Sequence, residues 1–206
     1  MKIMRWPVLA LAAMSLVSCV ASLLPLFEDR YLVSEPGLIG TWQGGDSGAD
    51  TWTFEKAGPN EYLLIQKQAE FALDPGPEGP KKKVPGDAAR FQVRLGRLGG
   101  NLFLDLYPAD EGNPMPHNDW LNAHLIPAHT LARIWLAKDS LKLVFLDEDW
   151  FTKSIQSGKI RLPNVKTGQW LVLTAPTTDL QAFILKFAGD ADAFPLKDVE
   201  ELRRVK

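Results

Sequence analysis

The three histidines of the chain, His117, His124 and His129, fall within one short span, and Asp105 and Asp119 lie near them in sequence. Imidazole and carboxylate are zinc ligands, and a zinc site needs three or four of them converging on one point. The spacing works against convergence. His124 and His129 are five residues apart, so an uninterrupted strand sends them to opposite faces. Only a bulge at Pro127 brings them together, and the expectation is solvated loop or sheet histidines with no metal. Asp147-Glu148-Asp149 is a second candidate. Two carboxylates can divide acid and base roles when their surroundings separate their pKa values. These three also open a helical pattern, where negative charge is favoured in any case. Lys81-Lys82-Lys83 carries enough charge to meet anionic headgroups, but it sits among prolines and glycines and reads as a solvated loop.

Gly45-Asp46-Ser47-Gly48 resembles the residues around the nucleophile of chymotrypsin-like proteases. That family places its histidine ahead of the serine, and no histidine precedes Ser47. Ala49-Asp50 follows where the family has Gly-Pro. A serine without a base in reach is a poor nucleophile, and a hairpin turn accounts for the four residues. No catalytic residue and no cofactor is expected.

Cys19 is the only cysteine, so it cannot be half of an intrachain disulfide. Ahead of it stand Lys2 and Arg5, an apolar run over residues 6–17, and Leu16-Val17-Ser18. A charged start, a short apolar stretch and a small-residue cleavage site form a secretory signal. The run is shorter than the roughly 20 residues a spanning helix needs. Leu16-Val17-Ser18-Cys19 resembles the lipobox of bacterial membrane lipoproteins. That resemblance covers residues 1–19 and implies a signal peptide at 1–18, lipid on Cys19, and anchoring in the cell envelope. Val20 stands where an aspartate favours inner-membrane retention, so the outer membrane, facing the periplasm, is the implied location. Each buried CH₂ contributes about 0.8 kcal/mol, so two or more acyl chains hold firmly.

The chain has 206 residues and a formal charge of −2, which becomes −4 without Lys2 and Arg5. It has no basic stripe of the kind nucleic acid needs. Seven Trp and ten Phe favour pleated, half-buried surfaces. An exported body without disulfides must draw its stability from its core.

The remaining pattern divides into a tether at 19–36 and a single β domain at 37–206. The tether is apolar at Leu23, Leu24, Leu26 and Phe27, unlike a Gly/Ser linker, and is expected to pack on the domain. Strands are expected at 38–44, 51–56, 61–68, 90–98, 101–107, 123–137 with an interruption at Pro127, 140–146, 169–174 and 199–205. Residues 72–89 and 108–122 read as long loops. Gly99-Gly100 is a two-residue hairpin signal. Asp147 is placed to cap a helix ending near Gly158. Thr178-Asp179-Leu180-Gln181 has the form of a capping box for a second helix ending at Gly189.

Eight or nine consecutive strands with two short late helices predict a mainly β fold, an antiparallel up-and-down barrel or strongly curved sheet. Gly40-Thr41-Trp42 in the first strand is similar to the Gly-x-Trp of lipocalin-like barrels. That resemblance implies that Trp42 closes the barrel floor under an arginine near the C-terminus, Arg203 or Arg204, as a cation–π pair. The family's Thr-Asp-aromatic signature is missing, because Thr178-Asp179 is followed by Leu180. Barrels of this size either fill with side chains or hold one small ligand. Trp52, Phe54, Phe91, Val93, Leu104 and Trp135 are the candidate liners of such a ligand site. The functional expectation is a non-enzymatic envelope lipoprotein binding a small apolar ligand or lipid in its barrel. Its alternative is a scaffold or assembly lipoprotein whose long loops meet a protein partner.

Overall fold

Alternation with period two lets each strand bury one row of side chains, and here eight such rows close on themselves. The computed structural model describes residues 20–44, 49–69, 71–73, 82–84, 86–109, 111–113, 119–167 and 170–206. Cys19, Ser47, Lys81, His117 and the side chains of Asp119, Lys82 and Lys83 lie outside the described ones. The strands in chain order are β1 (Ala21–Ser22), β2 (Gly40–Gly44), β3 (Asp50–Lys56), β4 (Glu61–Lys67), β5 (Phe71–Leu73), β6 (Lys82–Val84) and β7 (Ala88–Leu98). They continue with β8 (Asn101–Pro108), β9 (His129–Leu136), β10 (Ser140–Phe145), β11 (Asn164–Thr167), β12 (Trp170–Leu173) and β13 (Glu200–Arg204). Three helices accompany them: α1 (Asp119–Asn122), α2 (Glu148–Gln156) and α3 (Thr177–Phe187).

The order β2-β3-β4-β7-β8-β9-β10-β13 is an up-and-down, lipocalin-like barrel with antiparallel neighbours throughout, and β13 returns to β2 through Arg203↔Gln43 and Arg204↔Trp42. Long loops therefore gather at the end where β8 stops and β9 begins. Short turns and the incoming chain close the other end. The sheet forks at β9. Its residues 132–136 pair with β10, while His129 and Thr130 pair on the same edge with β1. From β1 a side sheet continues through β12, parallel to β1, and β11.

Two cores result. The barrel interior holds Trp42, Phe54, Leu64, Val93, Leu104 and Leu141, all buried, together with Leu38 from the incoming chain. The second core lies outside the barrel wall, where Leu98, Phe103 and Val144 meet α2, α3 and Phe27. The expected late helices are both present. Asp147 caps α2, accepting from the Trp150 N–H at 2.6 Å.

The capping box is not formed. Pro176 takes the cap position of α3 without a side-chain bond. Thr177 instead donates to the Pro25 carbonyl at 2.7 Å, and Gln181 to that of Leu26 at 3.1 Å. Tertiary partners have taken the polar groups that the local motif would use. The expected strand at 123–137 begins only at His129, beyond Pro127, which lacks the N–H a paired strand needs. The expected loop at 72–89 overlaps a small β5–β6 hairpin, and the loop at 108–122 contains α1.

The segment read as a tether is part of the domain. Val20, Leu26 and Phe27 are buried. The Phe27 ring packs against Gly96 of β7, where any Cβ would clash with Cε1, Cδ1 and Cζ of the ring. The chain then runs along β7, with Leu32 bridged to Gly96, the Val33 N–H donating to Leu95, and Arg94 and Arg97 paired with Asp29 and Glu35.

At the floor, Trp42 is fully buried and its indole N–H donates to the Leu38 carbonyl at 2.9 Å. The Arg204 guanidinium covers the ring 4.1 Å from its centroid. It donates to the carbonyls of Ile39 at 2.9 Å and Lys138 at 3.0 Å, and also to Gly37. Arg203, the other candidate, points to solvent. Gly40 has a φ of +129°, and a Cβ there would stand 2.6 Å from the Arg204 Nη1. The Gly-Thr-Trp tripeptide thus has a physical reason for its glycine as well as its tryptophan.

Two substitutions test this account. Gly96→Ala is expected to displace Phe27 and cost about 1–3 kcal/mol, as overpacking does, measured as a lower urea midpoint. Arg204→Lys keeps the charge over Trp42 but loses the planar fork, and is expected to cost about 2 kcal/mol. Equal stability of the lysine variant would show that the fork contributes nothing.

Candidate functional site

Asp105 sits in the middle of β8 with its side chain on the outer face of the barrel, between Phe103 and Tyr107. Its carboxylate is buried at 2% exposure. A charge so placed needs partners, because an unpaired one costs several kcal/mol. It has two. The Leu26 N–H donates to Oδ2 at 2.9 Å, and His129 Nδ1 lies 2.8 Å from Oδ1. An ionised carboxylate only accepts, so the Nδ1 proton is directed at Asp105. Tyr107 stacks on the imidazole with ring centroids 4.6 Å apart. The pair borders an apolar cavity of about 30 Å³, enclosed by Val20, Leu24 and Leu26 on one side and by Leu146, Leu180 and Phe183 on the other.

An aspartate holding a histidine is two-thirds of a nucleophilic triad. Ser22, directly across from His129 in the β1–β9 pairing, also lines the cavity. Its Oγ is turned onto the Leu24 carbonyl at 2.8 Å. Among the described residues no hydroxyl hydrogen-bonds the His129 ring. The pair clamps instead: it fixes residues 20–26 to the barrel wall.

The other candidates do not assemble. The exposed His124 places Nδ1 2.6 Å from the Trp120 carbonyl, a bond within its own loop. Among the described residues no three metal-ligating side chains come together. Asp147 is occupied in capping α2. Burial pushes the Glu148 carboxyl up, Asp149 adds to this, and Lys166 opposes it.

Four of the candidate ligand liners, Trp52, Phe54, Val93 and Leu104, are buried inside the barrel, and Phe91 packs half-buried against them. They belong to one buried cluster. Trp135 lies on the opposite face of β9. It packs against the outer core beneath the Arg133 guanidinium, which is 4.6 Å from the ring centroid. Arg133 also donates to the Ala188 carbonyl at the end of α3 and to Asn101. Burial lowers its pKa. Sequence reasoning placed Asp105 near a possible zinc site and missed its part in holding Leu26. It read Gln181 as part of a capping box where the side chain donates to the Leu26 carbonyl, and it missed Arg133. The available signal was Phe103 and Tyr107, apolar on what should be a solvated face of β8.

Comparison with protein families, with curated proteins and with solved structures returns no significant match.

Asp105→Ala leaves the Leu26 N–H and the His129 ring without their acceptor. The expected loss is about 2–3 kcal/mol, read from chemical denaturation. Faster proteolysis within residues 20–36 is expected alongside it. A variant as stable and as protease-resistant as the wild type would show that the clamp is idle.

Proposed function

We propose that this chain is a lipid-anchored protein of the bacterial cell envelope, non-enzymatic, that acts as a scaffold through its surface. The observation that carries this reading is the cluster inside the barrel, where Trp42, Trp52, Phe54 and Leu104 are buried together. The cavity beside Asp105, at about 30 Å³, is far below the several hundred Å³ typical of small-molecule sites. Both favour the scaffold reading over the carrier reading. The β4–β7 loop, with the β5–β6 hairpin in it, is the surface offered to an envelope protein. The anchoring part rests on Leu16-Val17-Ser18-Cys19 and the leader before it. No helix among the described residues is long and apolar enough to cross a membrane, so lipid on Cys19 would supply the attachment.

Metabolic labelling with palmitate is expected to mark the wild-type chain and not Cys19→Ser, and globomycin should leave the wild type as a larger precursor. Unlabelled wild-type protein of unchanged mobility would sink the anchoring. Native mass spectrometry after gentle extraction should then show a protein partner. A stoichiometric small apolar ligand would restore the carrier reading.

A further inference from the structure

Residues 20–27 and residues 120–132 carry no Asp, Glu, Lys or Arg. The fold brings the two together. Ser22 pairs with His129 in the β1–β9 ladder, and Leu24 lines the same cavity as His129. Both stretches also expose apolar side chains. Eleven large apolar residues of the described chain are exposed. Six of them are Leu23, Leu24, Trp120, Leu121, Leu125 and Ile126, with Trp120 at 81% and Ile126 at 74%.

The loop is a shaped knuckle. The His124 N–H donates to the Leu121 carbonyl and the Leu125 N–H to that of Asn122, while His124 Nδ1 reaches the Trp120 carbonyl. Its own backbone bonds hold Trp120 and Ile126 outward. Apolar surface kept in water at such a cost marks a binding site.

The position of the anchor names the occupant. Residue 19 precedes Val20, which is buried, and Ala21, which is already hydrogen-bonded into the sheet. A lipid on Cys19 therefore has no linker. Three residues of extended chain separate Cys19 from Ser22, a reach of about 10 Å. The ladder from Ser22 to His129 adds about 5 Å, and three more residues bring the path to Ile126.

We propose that Leu23, Leu24 and the Trp120–Ile126 knuckle rest in the bilayer interface beside the lipidated Cys19, so that the body lies flush on the membrane in one orientation. This rests on the anchoring reading above. Tryptophan favours the headgroup level, with its apolar ring in and its N–H wet. Stretches free of Asp, Glu, Lys and Arg suit that environment, whereas a protein interface would be rimmed with polar contacts.

The test uses the full chain, acylated and reconstituted in phosphatidylcholine–phosphatidylglycerol vesicles. Single variants Trp120→Cys, Ile126→Cys and Val205→Cys carry an environment-sensitive fluorophore. Val205 is exposed and follows β13 at the floor end of the barrel. Labels at 120 and 126 are expected to be quenched by lipid nitroxides about 5–10 Å into the interface and shielded from iodide. The label at 205 should show the reverse. If the acylated protein floats with the vesicles while iodide quenches all three labels equally, the docking is wrong and the anchor stands. Shielding from iodide without lipid quenching would mean that a protein covers the loop, which also overturns the proposal. The wild-type sulfur provides the remaining control. If Cys19 takes up fluorophore and no palmitate, the anchor fails and the docking fails with it.

Discussion

The segment from Val20 to Leu38 joins the two cores, and the rest of the architecture depends on where it lies. Its first part, Val20, Leu26 and Phe27, belongs to the outer core. Its last residue, Leu38, is fully buried inside the barrel. Between them the chain crosses the outer face of β8 and β7. Two polar devices make that path possible. Asp105 accepts the Leu26 N–H, and Gln181 donates to the Leu26 carbonyl, so the backbone of one buried residue is satisfied from both sides. A buried chain that lacked these partners would lose about 1–3 kcal/mol per group. Gly96 supplies the space for Phe27, and burial of that ring contributes about 1.5–3 kcal/mol.

The barrel was legible because much of its wall alternates in sequence. Trp52 and Phe54, Leu102 and Leu104, or Leu141 and Leu143 fall on one face by spacing alone. The floor was legible too, because Gly-Thr-Trp and a C-terminal arginine carry their geometry in their residue types. What spacing does not encode is a second buried face. β7, β8 and β9 are covered on both sides over part of their length, so Trp135 and Phe103 look like interior residues while facing outward. The capping box at Thr178 failed for a related reason. Pro176 takes the cap position just ahead of the motif, and the Leu26 carbonyl, far away in sequence, takes the Gln181 amide. The short β11 and the β5–β6 hairpin are too brief to show a period.

The candidate site divides in the same way. Asp105 and His129 were visible as residue types, but their relation depends on the pairing of β8 with β9 across a loop of some twenty residues. Asp105 faces Leu131 and Leu106 faces Thr130, which brings the carboxylate to the imidazole at the strand's start. The sequence held the ligands of a metal site, and the fold used them as a clasp. Whether the barrel was hollow was equally beyond alternation. Aromatic rows can line a chamber or fill it, and spacing alone does not show that Trp42, Trp52 and Phe54 share one buried cluster with Val93, Leu104 and Leu141.

The parallel β1–β12 pairing has a temporal consequence. Ala21 meets Val172, and Pro25 and Leu26 take bonds from residues more than 150 positions later. During synthesis these partners emerge last. Contacts of such sequence separation are slow to close, so the first stretch beyond Cys19 waits undocked while the meander behind it assembles.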